Sequence, residues 1–174
     1  MGAPKATLCP GGEEPLLDRI HRAIRQADLP VTLVGEGPIT EGASRLDRIP
    51  DQAGIPGPLG GILAAVNHAP SASWLVFACD LALLQPAAIR WLIDQREDDH
   101  IAVVPRLSER RVEPLFAVYE PGARDLLEAI ALDGPPAPRR LAGLPGVVTP
   151  EPPAEIRACW TNVNTPEDVE RLEL

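Results

Sequence analysis

The chain has 174 residues, of which 45% are hydrophobic, and a formal net charge of -9 at neutral pH. That length suits one domain with a conventional core, and the acidic balance argues against DNA or RNA as the main ligand, because a broad basic surface is needed to follow phosphates. No apolar run approaches the roughly 20 residues of a membrane-spanning helix, and no signal segment opens the chain, so the sequence predicts a cytoplasmic protein without a membrane partner.

The first part of the chain alternates between helical and extended patterns. Apolar residues recur at helical spacing over residues 15–27, which predicts an amphipathic helix. The β-branched run at 31–35 predicts a short buried strand that a glycine ends. A stretch rich in glycine and proline follows as far as residue 58, and the small and apolar residues 60–69 then predict a helix that opens at a glycine turn.

The same alternation continues in the second part. An apolar run at 73–80 predicts a strand, and a helix with proline in its first turn follows from residue 86. Residues 101–105 and 114–120 predict two more strands, the second of which leads into another helix. Strands that alternate with helices predict an α/β fold, with a mainly parallel sheet covered by helices on both faces.

The last part of the chain is rich in proline. Residues 133–155 predict loop around one short helix and one short strand. Thr165 has the character of an N-cap, with proline after it and two acids in the first turn, so a closing helix is expected there. We expect residues 1–174 to form a single domain.

Asp80 is the first candidate functional residue, because it follows the apolar run LVFAC directly. In open α/β sheets, ligands bind beyond the carboxyl ends of the strands. A carboxylate at such a position suits Mg²⁺, which prefers oxygen ligands. The alternative is a turn or cap role before LALLQP. Cys79, in the same apolar run, is expected to be a small core residue.

Two further motifs could bind a ligand. Glycine and proline in PGPLGGI, residues 56–62, allow close approach of the backbone, and the following helix would aim free N–H groups at the same place. Asn162 and Asn164 alternate along an extended stretch and could present their amides to one side. A plain turn is the more frequent role of the first motif, and turn or cap roles suit the asparagines as well as ligand binding does.

Taken together and in order, these motifs resemble those of the molybdenum cofactor guanylyltransferases, the MobA-like members of the nucleotidyltransferase group with a Rossmann-like fold. The matching segments are MGAPKATL followed by GGEEPLLDRI, then IPDQAGIPGPLGGILAAV, WLVFACDLALL, RRVEPLFAVYEPGA and NVNTPEDVERL. They extend over nearly the whole chain. The resemblance implies a Rossmann-like nucleotidyltransferase fold and an enzyme that transfers GMP from GTP to molybdopterin with release of pyrophosphate.

The resemblance also implies residue roles. The residues that match the nucleotide site are Lys5, Asp51, Pro58, Leu59, Gly60, Gly61 and Asp80. Lys5, the only lysine of the chain, matches a lysine that contacts nucleotide phosphates, and Asp80 matches the aspartate that binds the metal, so these two are the implied catalytic residues. Asn162 and Asn164 match the closing asparagines near the molybdopterin substrate.

The implied partners are GTP and molybdopterin as substrates and Mg²⁺ as cofactor, with molybdoenzymes or other proteins of cofactor biosynthesis as potential further partners. Arg110 and Arg111, beside the segment RVEPLFAVY, could help to hold an anionic pterin, although solvated loop charges are the favoured interpretation. A catalytically impaired or non-catalytic relative that binds nucleotide or cofactor is one alternative function. Use of another nucleotide such as CTP is the other.

The chain departs from the family pattern at its start. Members of the family begin with a buried strand and a glycine-rich loop before the Met-Gly at which this chain opens, so we expect the first strand and the backbone cradle for phosphate to be missing. Three explanations are open. A start assigned at an internal Met is favoured, and the others are a genuine truncated relative and a gap that another strand or subunit fills.

Overall fold

The structure is a computed structural model that describes residues 5–9, 14–163 and 168. Its α-helices are α1 (Leu16–Arg25), α2 (Pro58–His68), α3 (Pro86–Asp94) and α4 (Ala123–Leu132), and short 3₁₀-helices cover Lys5–Thr7, Pro138–Leu141 and Arg157–Trp160. The strands are β1 (Thr32–Val34), β2 (Asp47–Ile49), β3 (Trp74–Phe77), β4 (Ala102–Val103), β5 (Arg106–Ser108), β6 (Arg111–Val112), β7 (Phe116–Tyr119) and β8 (Val147–Val148).

The main sheet has the strand order β3-β7-β4-β8. Strand β7 runs antiparallel to both β3 and β4, and β4 is parallel to β8, so three of the four strands point in the same direction. The reversal at β7 has a local cause. The chain returns from β4 through the hairpin of β5 and β6 rather than through a helix, and only a crossover connection can make neighbouring strands parallel. The predicted α/β class is confirmed, with one antiparallel strand inside the sheet.

The main sheet is packed on both faces, because successive side chains of a strand point to opposite sides. Ala117 and Tyr119 of β7 lie in a core with α2 and α4. Phe116 and Val118 lie in a second core with α1, α3 and the ring of Trp160, which stacks on Phe116 with the ring centroids 4.3 Å apart. The prediction of helices on both faces is thereby confirmed.

Strands β1 and β2 form a separate parallel pair beside the main sheet. Helix α2 packs against β1, β2 and β3, and so bridges the two sheets. In the described part of the chain, β1 is hydrogen-bonded to β2 alone and β3 to β7 alone. Each of the two strands therefore has one edge without a strand partner among these residues.

The structure differs from the sequence prediction at Cys79. Cys79 is exposed, so its predicted place in the core was wrong: β3 ends at Phe77, and the chain is already turning at Cys79. The predicted short helix and strand of the proline-rich region are present as Pro138–Leu141 and β8.

The closing helix predicted from Thr165 lies outside the described residues, except for Asp168, which is helical. None of the described helices combines the length and apolar character that crossing a membrane requires.

Candidate functional site

Asp80 lies beyond the carboxyl end of β3, where the sequence placed it, and is only 7% exposed. Its backbone carbonyl accepts a hydrogen bond from the backbone N–H of Val163 at 2.9 Å and another from Ala82 at 3.1 Å. The side chain of Val163 is fully buried. The segment near the end of the chain is thus fixed against the end of β3, and Asn162 comes to lie beside Asp80.

The side-chain amide oxygen of Asn162, Oδ1, is buried without a hydrogen-bond partner among the described residues. A buried polar group without a partner costs about 1–3 kcal/mol, and native structures keep such groups rarely. The oxygen is therefore well suited to a ligand. Asn164, the second predicted asparagine, lies outside the described residues. We refer below to Asp80 and Asn162 as the Asp80–Asn162 group.

The N-terminal segment reaches the same region. Lys5 begins the first 3₁₀-helix, and Leu8, which follows that helix, packs against the buried side chains of Ala82 and Val163. The backbone of Lys5 is therefore only a few residues along the chain from a contact beside Asp80. The structure describes the backbone of Lys5 but not the position of its side chain.

Asp51 belongs to a second group, at the end of β2. A Cβ atom placed on Gly35 would lie 3.0 Å from Oδ2 of Asp51, and one placed on Gly61 would lie 3.3 Å from Oδ1. Gly35 also has a φ of +93°, a conformation that L side chains rarely adopt. The carboxylate is therefore held between the turn after β1 and the first turn of α2, while Asp51 itself stays exposed.

The turn before α2 has the close backbone approach that its glycines predicted. A Cβ atom on Gly60 would lie 2.2 Å from the carbonyl oxygen of Ile55, so only glycine fits there without a shift of the backbone. Gln52 donates its backbone N–H to the carbonyl of Gly60 at 3.1 Å. Gly57, with a φ of +75°, immediately precedes the helix, and Pro58 is its first residue. Leu59 is fully buried and anchors this turn in the core.

The predicted site residues thus form two groups. Asp51 and the turn at Gly60 and Gly61 lie beside the small sheet of β1 and β2, whereas the Asp80–Asn162 group lies at the main sheet. Helix α2 begins at the first group and packs along β3, whose end carries the second. The free N–H groups at the start of a helix favour anions, so the start of α2 is suited to an anionic ligand.

Asp80 and Asn162 offer a carboxylate and a buried amide oxygen, the types of oxygen donor that Mg²⁺ prefers. The described residues contain another cluster that could hold a metal, in which ligand atoms of Glu97, Asp99 and His100 lie within 4.8 Å of one another. That cluster precedes β4 and so lies at the opposite edge of the main sheet, since β3 and β4 point in the same direction.

Sequence reasoning did not identify Arg48. Its guanidinium donates through Nε to the carbonyl of Gly35 and through Nη2 to that of Gly37 at 2.7 Å, and so fixes the turn that faces Asp51. Nothing in the local pattern of β2 distinguishes this arginine from a solvated one, because its partners are backbone carbonyls of another strand's turn. Only the parallel pairing of β1 with β2 brings them together.

Comparison with known proteins places the chain in a family. Residues 1–143 match the family described as MobA-like NTP transferase domain. A relative from Pelotomaculum thermopropionicum, named probable molybdenum cofactor guanylyltransferase, is 32% identical over 185 aligned residues, which cover 97% of this chain and 83% of the relative. A relative of the same name from Natronomonas pharaonis is 33% identical over 72% of this chain and 62% of its own length.

Solved structures agree in fold. The crystal structure of molybdopterin-guanine dinucleotide biosynthesis protein A from Archaeoglobus fulgidus superposes with a TM-score of 0.75 and 23% identity over 97% of this chain and 88% of its own. A 4-diphosphocytidyl-2C-methyl-D-erythritol synthase superposes with a TM-score of 0.66 and 14% identity, covering 97% and 92% of the two chains. The chain therefore belongs to the family of MobA-like NTP transferase domains, the family that its motifs resembled.

Proposed function

We propose that this protein transfers GMP from GTP to molybdopterin and releases pyrophosphate. The single observation that carries the proposal is the hydrogen bond from the backbone N–H of Val163 to the carbonyl oxygen of Asp80, which brings the segment of Asn162 to the carboxyl end of β3. Family membership and the names of the relatives support the same reaction. The whole of residues 1–174 acts as one domain in this proposal.

The proposed reaction is a single displacement at phosphorus. A phosphate oxygen of molybdopterin attacks the α-phosphorus of GTP, the bond from that phosphorus to the oxygen bridging to the β-phosphate breaks, and pyrophosphate leaves with the electron pair. No covalent intermediate with a side chain is needed, so positioning and charge stabilisation supply the catalysis. Lys5 offsets negative charge on the leaving pyrophosphate, and the backbone of Gly60 and Gly61 lies against the nucleotide.

Asp51 faces the base in this arrangement. An exposed carboxylate held between two glycines can accept hydrogen bonds from the N–H groups of guanine. The Asp80–Asn162 group would hold Mg²⁺, with Asn164 as a further residue toward the molybdopterin. When bound, that ion would supply positive charge to the phosphate oxygens of the reaction centre. GTP and molybdopterin are the substrates of this proposal, and the cytoplasm is the proposed compartment.

Transfer of label tests the reaction. The protein is incubated with molybdopterin, Mg²⁺ and GTP labelled at either the α- or the γ-phosphate, and product and pyrophosphate are separated. We expect label from the α-position in the molybdopterin product, label from the γ-position in pyrophosphate, and loss of both when EDTA removes the metal. Nucleotide binding without transfer would instead identify a non-catalytic relative, and faster transfer from CTP would identify a cytidylyltransferase.

A further inference from the structure

A concave surface of about 360 Å³ lies between the hairpin of β5 and β6 and the 3₁₀-helix Pro138–Leu141. Four arginines line it, namely Arg106, Arg110, Arg111 and Arg139, together with one acidic residue, Glu109. We call this surface the arginine cavity. Such a concentration of positive charge is unexpected in a chain whose formal net charge is -9, because like charges that share a concave surface repel one another.

The residues that line the arginine cavity carry four positive charges and one negative charge, that of Glu109, so an excess of positive charge remains. Arg106 is fixed by neutral partners, since its Nε and Nη2 donate to the hydroxyl oxygen of Thr149 at 3.2 and 2.8 Å. Arg111 lies at 3.5 Å from a carboxylate oxygen of Glu113, at the limit of a hydrogen bond. No ion pair or hydrogen bond joins the guanidinium of Arg110 or of Arg139 to another described side chain. The cavity therefore combines one immobilised guanidinium with two that are available to a ligand.

The position of the arginine cavity relates it to the Asp80–Asn162 group. Arg106 follows β4, and its backbone N–H donates to Pro150, beyond the end of β8. Strand β4 points in the same direction as β3, whose end carries Asp80, and only β7 lies between them. Both features are therefore at the same edge of the main sheet, and the two strands that lead to them, β3 and β4, are two strand spacings or roughly 10 Å apart.

We infer that the arginine cavity binds the anionic end of the acceptor molecule that lies away from its reacting phosphate. This inference rests on the proposed function, in which that phosphate is at the Asp80–Asn162 group. A small acceptor with a second anionic group about 10 Å from its phosphate spans the two features. Guanidinium groups donate paired hydrogen bonds in a fixed plane, so a cluster of them selects an acceptor by the charge and shape of its far end.

Kinetics of paired variants test this assignment. In Arg110→Ala/Arg139→Ala, we expect the KM for molybdopterin to rise by about 10- to 100-fold, with the KM for GTP and the kcat at saturation within about twofold of the parent, because the lost contacts are charge-assisted and distant from the nucleotide. Arg110→Lys/Arg139→Lys restores part of the affinity. The matched control is Arg90→Ala/Arg124→Ala, which removes two exposed arginines from α3 and α4 and leaves both KM values unchanged.

Two kinetic outcomes overturn the inference. If the KM for GTP rose as much as the KM for molybdopterin, the arginine cavity would be assigned to nucleotide phosphates. Unchanged KM values in both double variants would show that its arginines are solvated surface charges.

A second measurement separates this inference from the proposed function. The Nε–Hε signals of the arginine side chains are followed by ¹⁵N NMR while inorganic phosphate is added, without nucleotide or Mg²⁺, and are assigned by the variants. We expect the signals of Arg110 and Arg139 to shift together and those of Arg90 and Arg124 to stay in place. Absence of these shifts overturns the anion site, whether or not GTP is consumed. Shifts in a chain that transfers no GMP overturn only the assignment to the acceptor.

Discussion

The backbone N–H of Val163 donates to the carbonyl oxygen of Asp80 at 2.9 Å, which joins the segment near the end of the chain to the end of β3. The sequence does not predict this contact, because a backbone hydrogen bond does not depend on the type of side chain. Its consequence is chemical. The contact brings the segment of Asn162, whose amide oxygen is buried, to the buried Asp80, so two motifs that are distant in sequence meet at the end of β3.

Replacing Asp80 by asparagine tests the metal role of the group. Asp80→Asn keeps the shape of the side chain but removes the negative charge, so we expect GMP transfer to fall by at least about 100-fold, the usual cost of losing one electrostatic element at a phosphoryl or acyl centre. Stabilisation of the protein by Mg²⁺ with GTP, read from the thermal midpoint, falls with it.

The control for this prediction is Asp98→Asn, an exposed aspartate of the loop between α3 and β4. It should transfer GMP at the parental rate and keep the full response to Mg²⁺ with GTP. Parental turnover by Asp80→Asn would move the metal site elsewhere in the molecule.

Asn162→Ala separates a ligand-binding role from a structural one. Since Oδ1 of Asn162 has no partner among the described residues, its removal discards no hydrogen bond described there, and we expect the free energy of unfolding to change by less than about 0.5 kcal/mol while turnover falls strongly. Val163→Ala is the matched contrast, because it truncates a fully buried side chain and should lower the free energy of unfolding by about 1–3 kcal/mol. Urea denaturation and initial rates measure both. A large stability loss in Asn162→Ala would make its amide a structural element.

Lys5→Ala tests whether the only lysine serves the phosphates. We expect it to abolish GTP turnover, because the ammonium group is proposed to offset charge on pyrophosphate as it leaves. The free energy of unfolding should stay almost unchanged. Lys5→Arg should recover little, since a planar guanidinium does not reproduce a compact point charge. Strong destabilisation of Lys5→Ala, measured by urea denaturation, would show that the lysine is structural.

The sequence was sufficient where a segment's own pattern determines its structure. The apolar run before Asp80 predicted β3, and helical spacing predicted α1, α3 and α4 to within a few residues. It failed for β2, whose residues Asp47, Arg48 and Ile49 are exposed or half-buried and show no apolar alternation. That strand exists because β1 offers it a parallel partner.

Contacts between distant segments escaped prediction for a related reason. The antiparallel direction of β7 depends on how the chain turns through the hairpin of β5 and β6. The arginine cavity likewise brings Arg139 against that hairpin from another part of the chain. Periodicity records which face of an element is buried but not what lies against it. The family resemblance supplied residue roles, whereas only the structure shows that Asn162 lies beside Asp80.

Gly60→Ala tests the close approach at the start of α2. A helical glycine replaced by alanine usually gains stability, but here the new methyl group would lie 2.2 Å from the carbonyl oxygen of Ile55. We expect a loss of about 1–3 kcal/mol in the free energy of unfolding and a raised KM for GTP, because the turn must move away from the position in which we propose that it contacts the nucleotide.

The control is Gly37→Ala, since a Cβ atom on Gly37 would meet nothing within 4 Å. Its free energy of unfolding and its KM for GTP should match those of the parent within error. A neutral Gly60→Ala would show that the turn yields without cost.

The ion pair between Arg96 and Glu120 predicts how stability depends on pH. Burial raises the pKa of the Glu120 carboxyl, but hydrogen bonds from Arg96 and Ser73 outweigh it and hold the pKa below its ordinary value of 4.5. Because the pKa is lower in the folded chain than in the unfolded one, the charged pair stabilises the fold above about pH 4.5, and this contribution is lost as the pH falls through the folded pKa.

Glu120→Gln should therefore be less stable than the parent at pH 7, and the difference should shrink steadily below pH 4.5. Urea denaturation across this range measures it, with Glu128→Gln as the control, because Glu128 also pairs with an arginine but is the more exposed of the two glutamates. A difference for Glu120→Gln that stays constant with pH would mean that its cost is one of packing, not of charge.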